Sequence, residues 1–148
     1  MTKTLAPEKN ISDSEWDVMR IVWTLKQTSS TKIIEELQAK HAWSESTIKT
    51  LIRRLVQKGC LQTHKDGRRF LYSATVSQTE MMIAAAQELL DRMCDMHKGE
   101  VILKLLADSP ISQADLSKMA KVITKKQKTA PAMVPCNCLP GEEKMCMR

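Results

Sequence analysis

Between residues 12 and 59 apolar positions recur three times at helical spacing, and each recurrence follows a helix-start signal. Ser12-Asp-Ser-Glu15 has the form of a capping box, in which the Ser hydroxyl takes an orphan N–H and the Glu reaches back to the cap. Trp16, Met19, Ile21, Val22 and Trp23 then supply one broad apolar face. Thr28 to Thr31 read as a polar break, and a short helix over about 31–40 directs Ile33, Ile34 and Leu37 inward. His41-Ala-Trp43 reads as a turn, with Ser44 as N-cap of a helix running to about Gly59. Within it, Ile48, Leu51, Ile52, Leu55 and Val56 follow the pattern of one buried face. Period then changes: CLQTHKDGRRFLYSA holds two short β-forming runs around Asp66-Gly67, which predicts a hairpin with a type I′ turn.

Helical spacing returns further on. Ser77-Gln-Thr-Glu80 opens a helix expected to reach about His97, where Lys98-Gly99 interrupts it. EVILKLLA, residues 100–107, is strongly apolar and is stopped near Ser109-Pro110. Ser112-Gln-Ala-Asp115 caps a last helix with Leu116, Met119, Val122 and Ile123 on one face, and lysines at 125–128 suit the negative end of its dipole. TAPAMVP then leads as a flexible linker into CNCLPGEEKMCMR. The expected fold is mainly α with a small β-hairpin, divided at 1–76, 77–128 and a cysteine-containing tail, 129–148.

Composition narrows the classes. Aromatic residues are 3% of the 148, so Leu, Ile, Val and ten methionines must fill the core, which favours helices. Residues 46–70 hold seven basic side chains against the single acid Asp66, a surplus equal to the net charge of +6 of the whole chain. Such concentration points to a polyanion, nucleic acid ahead of an anionic membrane, with a merely solvated basic face as the plain alternative. No apolar run approaches a membrane span and MTKTLAPEKN lacks a signal-peptide core, so a cytoplasmic location is expected. Thiols stay reduced there, and five cysteines then suggest metal or redox roles rather than disulfides.

Three helices followed by a hairpin are the layout of a winged helix-turn-helix. With Ile48, Leu51, Ile52 and Leu55 inward, the opposite face of the third helix offers Ser46, Thr47, Lys49, Thr50, Arg53, Arg54 and Gln57; of these all but Gln57, together with the cap Ser44, are the expected DNA contacts of the helix. Small hydroxyls at its N-terminal end suit base edges and the basic residues suit phosphates, with Arg68 and Arg69 of the wing reaching flanking backbone or the minor groove.

ISDSEWDVMRIVW, WSESTIKTLIRRLVQKGCL and HKDGRRFLYSA together resemble the penicillinase-repressor (BlaI/MecI) family of bacterial winged-helix repressors, over about residues 10–126. The resemblance implies a homodimer on double-stranded, palindromic operator DNA. It puts the recognition helix at Ser44 to Lys58, the wing at Leu61 to Tyr72, and the dimer interface in the helices of about 78–126. Independently, EVILKLLA is too apolar to stand free at a surface.

The tail resembles that of the CopY-type, copper-responsive branch of this family, whose pattern is Cys-x-Cys, four residues, Cys-x-Cys. That likeness implies a Zn(II) form that holds the operator and a Cu(I) effector that displaces zinc and releases DNA, with a copper-donating chaperone as metal source. Cys136-Asn-Cys138-Leu-Pro-Gly matches its first half, but seven residues separate Cys138 from Cys146 and Arg148 stands where a fourth cysteine would fall. Cys136, Cys138 and Cys146 are therefore the metal residues carried over. Three thiolates satisfy Cu(I), while zinc prefers a fourth donor: water, a group of the other chain, or His97. Met145 and Met147 offer weak thioether ligation. Cys60 and Cys94 read as small core residues. Nothing in the sequence assembles the parts of an enzyme. Two rivals stay open: a β-lactam-responsive repressor inactivated by proteolysis, and a metal carrier with no role for DNA.

Overall fold

The computed structural model describes residues 10–140, in two compact units, one ending at Gln87 and the other beginning at Glu88. Ser12 starts the first unit as expected: its hydroxyl accepts the Glu15 N–H and Glu15 Oε1 accepts the Ser12 N–H, both at 3.2 Å. Helix α1 (Asp13–Leu25) follows, and its buried face of Val18, Met19 and Val22 meets Ile33 and Leu37 of α2 (Ser30–Gln38). Ser44 caps α3 (Glu45–Gln57), which adds Ile48, Leu51, Ile52 and Leu55 to the same core. Cys60, just past α3, is fully buried there. The turn between α2 and α3 is held to α1 by His41 Nε2, 3.1 Å from Asp17, and His41 stacks on Trp43 with ring centroids 4.0 Å apart.

The polar break at Thr28 is not a loop. Gln27–Ser29 form a short strand, β1, placed by Lys26, whose φ of 66° turns the chain sharply out of α1. It pairs antiparallel with β3 (Arg69–Ala74), which in turn pairs with β2 (Leu61–Asp66), so the sheet order is β1-β3-β2. Thr28 lies opposite Tyr72 and is buried by the pairing. A three-residue polar strand has too little periodicity to announce itself; only its partner makes it one.

The wing turn is also shifted by one residue. Asp66 pairs with Arg69, leaving Gly67-Arg68 as the two-residue loop rather than Asp66-Gly67. Gly67 has φ 63° and Arg68 is not positive, which is the sign pattern of a type II′ turn, where glycine takes the first central place. Helix, strand, two helices and a hairpin closed by the first strand make this unit a winged helix-turn-helix. The Trp23 indole donates to the Val76 carbonyl at 2.9 Å, and Met81 near the start of α4 (Gln78–Asp91) is buried.

In the second unit, α4 stops at Asp91 rather than near His97, and a single 3₁₀ turn, Asp95–His97, leads into α5 (Lys98–Asp108). Lys98-Gly99, expected to be an interruption, is the first turn of α5. At the end of α4 the Arg92 and Met93 N–H groups turn to the Leu89 and Leu90 carbonyls, three residues back, and past the break the Asp95 N–H donates to Asn137 Oδ1 at 2.8 Å. Cys94 thus lies in the break with extended backbone, not inside a helix. Ser112 caps α6 (Gln113–Gln127). Neither α5 nor α6 contains a buried residue, and Leu103 and Val122 are 66% and 61% exposed. No helix among the described residues is long and apolar enough to cross a membrane.

Candidate DNA-recognition face and thiol cluster

Burying Ile48, Leu51, Ile52 and Leu55 fixes the rotation of α3, so its other side must face out. Ser44, Ser46, Thr47, Lys49, Arg53 and Arg54 are exposed and Thr50 is half-buried. At the N-terminal end three hydroxyls converge: Ser44 Oγ is 3.1 Å from Ser46 Oγ, 2.9 Å from Thr47 Oγ1, and accepts the Thr47 N–H at 3.2 Å. Thr50 Oγ1 donates to the Ser46 carbonyl at 2.9 Å. One groove, lined by Lys49, Ile52, Arg53 and Val56 of α3 together with Thr63 and Tyr72 of the wing strands, joins helix and hairpin into a single face.

Three of the basic residues carry prior engagements. Lys49 Nζ lies 2.6 Å from Glu45, one turn earlier on the same exposed face. Arg69 is 3.7 Å from Asp66 across the wing turn. Lys58 points away, 3.0 Å from Glu15. Arg53, Arg54 and Arg68 are exposed.

The tail residues come together with a cysteine expected to be a small core residue. Sγ atoms of Cys94, Cys136 and Cys138 all lie within 4.8 Å of one another. Cys94 and Cys136 are half-buried and Cys138 is exposed. Asn137, between the two tail cysteines, accepts the N–H of Asp95, the residue after Cys94. The Cys138 N–H donates to Cys136 Sγ at 3.4 Å. Beside them Lys98, 2.6 Å from Asp95, is held more basic than usual, first by that hydrogen bond and further by the nearby Asp91 and Cys94. His97 does not join the three sulfurs among the described residues, and Cys146, Met145 and Met147 lie outside those residues. Only its place just before Lys98-Gly99 hinted that Cys94 is no helix-core residue.

Residues 11–125 match the penicillinase repressor family, a span that takes in the winged helix, α5 and nearly all of α6. The chain belongs to that family. Penicillinase repressors are transcriptional regulators, not enzymes. An uncharacterised 16.5 kDa protein from the ptsI 3′ region of Latilactobacillus sakei is 48% identical over 132 residues, covering 89% of this chain and 90% of its own. The methicillin resistance regulatory protein MecI of Mammaliicoccus sciuri is 31% identical over 116 residues, 78% of this chain and 94% of its own. The solution structure of the DNA-binding domain of the repressor BlaI matches at 34% identity and a TM-score of 0.47, over 51% of this chain and 93% of that one. The family match ends before Cys136, so the sulfur cluster draws on residues beyond the repressor body.

Proposed function

We propose that this repressor holds a palindromic operator as a homodimer and releases it when Cu(I) occupies its C-terminal thiols. The observation that carries the DNA half is the continuous face of α3 and wing, with hydroxyls at the helix N-terminus and Arg53, Arg54 and Arg68 exposed around it. Ser44, Ser46, Thr47 and Thr50 are the candidates for base edges; Lys49, Arg53, Arg54, Arg68 and Arg69 are the candidates for phosphates. Support for a dimer is the apolar surface of the second unit: Leu103 and Leu105 of α5, with Leu116, Val122 and Ile123 of α6, are exposed. A second copy of the chain would cover them, and a two-fold pair would read two half-sites.

Support for the metal half is the sulfur chemistry. Thiolates select Cu(I) and Zn(II) over hard cations, and the residues present fit such an ion: three sulfurs on one metal at bonds of about 2.3 Å stand about 4 Å apart, close to the spacing here. Cys136 and Cys138 would hold it, with Cys146 as the further tail thiol. Zn(II), with its preference for four donors, is the candidate for the operator-holding form. By linkage, each tenfold loss of operator affinity requires Cu(I) to favour the DNA-free protein by about 1.4 kcal/mol.

Operator binding by the reduced protein, titrated with Cu(I), tests the reading. Loss of a sequence-specific complex at stoichiometric Cu(I) is expected. Binding that ignores copper sinks the copper half and favours release by proteolysis; no sequence-specific binding at all sinks the operator half as well.

A further inference from the structure

We infer that Cys94, in the break between α4 and α5, is a metal ligand and completes with Cys136 and Cys138 a three-sulfur site for a soft d¹⁰ cation within one chain. The inference deepens the metal-responsive reading above and rests on it for its physiological meaning.

The three sulfurs are already mutually within 4.8 Å, so little movement separates them from the roughly 4 Å of a shared metal. They come from two places far apart in sequence, and separate features hold each part. Cys94 has extended backbone because α4 has ended at Asp91. The tail is held against the break by Asn137, whose side-chain oxygen accepts the Asp95 N–H. That bond sits between the two tail cysteines and next to Cys94, so it sets the spacing of all three. The Cys138 N–H donates to Cys136 Sγ at 3.4 Å, a further tie that keeps the two tail cysteines side by side. Partial exposure of the cluster leaves a route for a metal.

Cys94 adds to the Cys-x-Cys pair of the tail a sulfur from another part of the chain. Cu(I) is satisfied by two or three sulfurs, so the set is chemically complete without Cys146. For each thiol that enters as a thiolate, one proton is released to solvent; neither metal nor sulfur changes oxidation state.

Two measurements on the full-length, reduced, DNA-free chain test it. In the first, the unmodified protein with one equivalent of Cu(I) is pulse-alkylated with iodoacetamide and mapped by mass spectrometry. Cys94, Cys136 and Cys138 should be protected at least tenfold relative to the metal-free protein, and Cys146 less than threefold. Protection of Cys136, Cys138 and Cys146 with Cys94 alkylated at its metal-free rate would overturn the inference. In the second, Cu(I) is titrated in competition with a chromophoric chelator. Cys94→Ser should weaken the first Cu(I) at least tenfold, and Cys146→Ser less than threefold; the reverse order overturns it. Neither readout uses DNA. Protected Cys94 with copper-insensitive operator binding would retain this site and discard copper-triggered release, whereas copper-triggered release with unprotected Cys94 would do the opposite.

Discussion

Lys58, the C-cap of α3, places its ammonium 3.0 Å from Oε1 of Glu15, the buried third residue of α1. A basic residue at the end of α3 is thereby turned inward, tying α3 to the N-terminus of α1. Burial alone would push the Glu15 carboxyl up, but hydrogen bonds from Lys58 and Ser12 outweigh it and hold it below its usual 4.5. The other carboxylate oxygen, Oε2, is buried without a hydrogen-bond partner, which leaves Glu15 dependent on Lys58.

Lys58→Met should therefore destabilise the winged helix by about 1–3 kcal/mol, read as a lower urea midpoint at pH 7. With the carboxyl depressed, the pair contributes fully above pH 4.5 and fades as the pH falls through the lower folded-state value. The variant should lose that contribution, so its stability should fall less steeply than the parent's through this acid range. Its DNA affinity should keep the parent salt slope, because this lysine does not face the groove.

Arg53→Ala, on the exposed side of the same helix, should do the opposite. Folding stability should change by less than about 0.5 kcal/mol, while the slope of log K against log salt should become shallower by about 0.9. Glu45→Gln frees Lys49 from its 2.6 Å partner and removes a negative charge from the face, so binding to any duplex at low salt should tighten severalfold. An unchanged affinity would remove Lys49 from the contact set.

Ser44 and Ser46 are adjacent in the hydroxyl cluster but have different duties. Ser44→Ala removes the cap on the Thr47 N–H and should cost about 1 kcal/mol of stability. Ser46→Ala leaves the cap intact and should leave the thermal midpoint within a degree or two. If Ser46 meets a base edge, its variant should lose discrimination at one operator position by about tenfold, measured by competition between operator variants.

If α5 and α6 form the interface of the proposed dimer, Leu103→Asp or Val122→Lys should leave a monomer in sedimentation-velocity runs at micromolar protein. The circular-dichroism spectrum should be unaltered, since both side chains are already exposed within one chain. Palindromic operator affinity should drop at least a hundredfold and half-site affinity should not change. A variant that remains dimeric would move the interface elsewhere.

What could be read from the sequence followed from local signals. Capping boxes and the apolar rows that include Met19 and Val22, or Ile48, Leu51 and Leu55, depend on neighbours within two turns, and they located α1, α3 and the hydroxyl-and-arginine face opposite the core, though not Val18, which is also buried. The misses have causes beyond local periodicity, two of them distant in sequence and one within the wing turn itself. Strand β1 exists because Thr28 finds Tyr72. The wing turn slipped by one residue because the Asp66–Arg69 pairing places Gly67, not Asp66, first in the loop. Helix α4 ends six residues early, and beyond its end the Asp95 N–H finds Asn137, 42 residues away. That same bond is why Cys94, unremarkable at its own place in the sequence, stands among the tail thiols.

Eight residues of linker separate the end of α6 at Gln127 from Cys136. They make the tail a tether whose far end is already docked beside Cys94. A cation captured by Cys136 and Cys138 would meet its third sulfur on the same chain, already within 4.8 Å of them. Closing such a site would be unimolecular and independent of protein concentration.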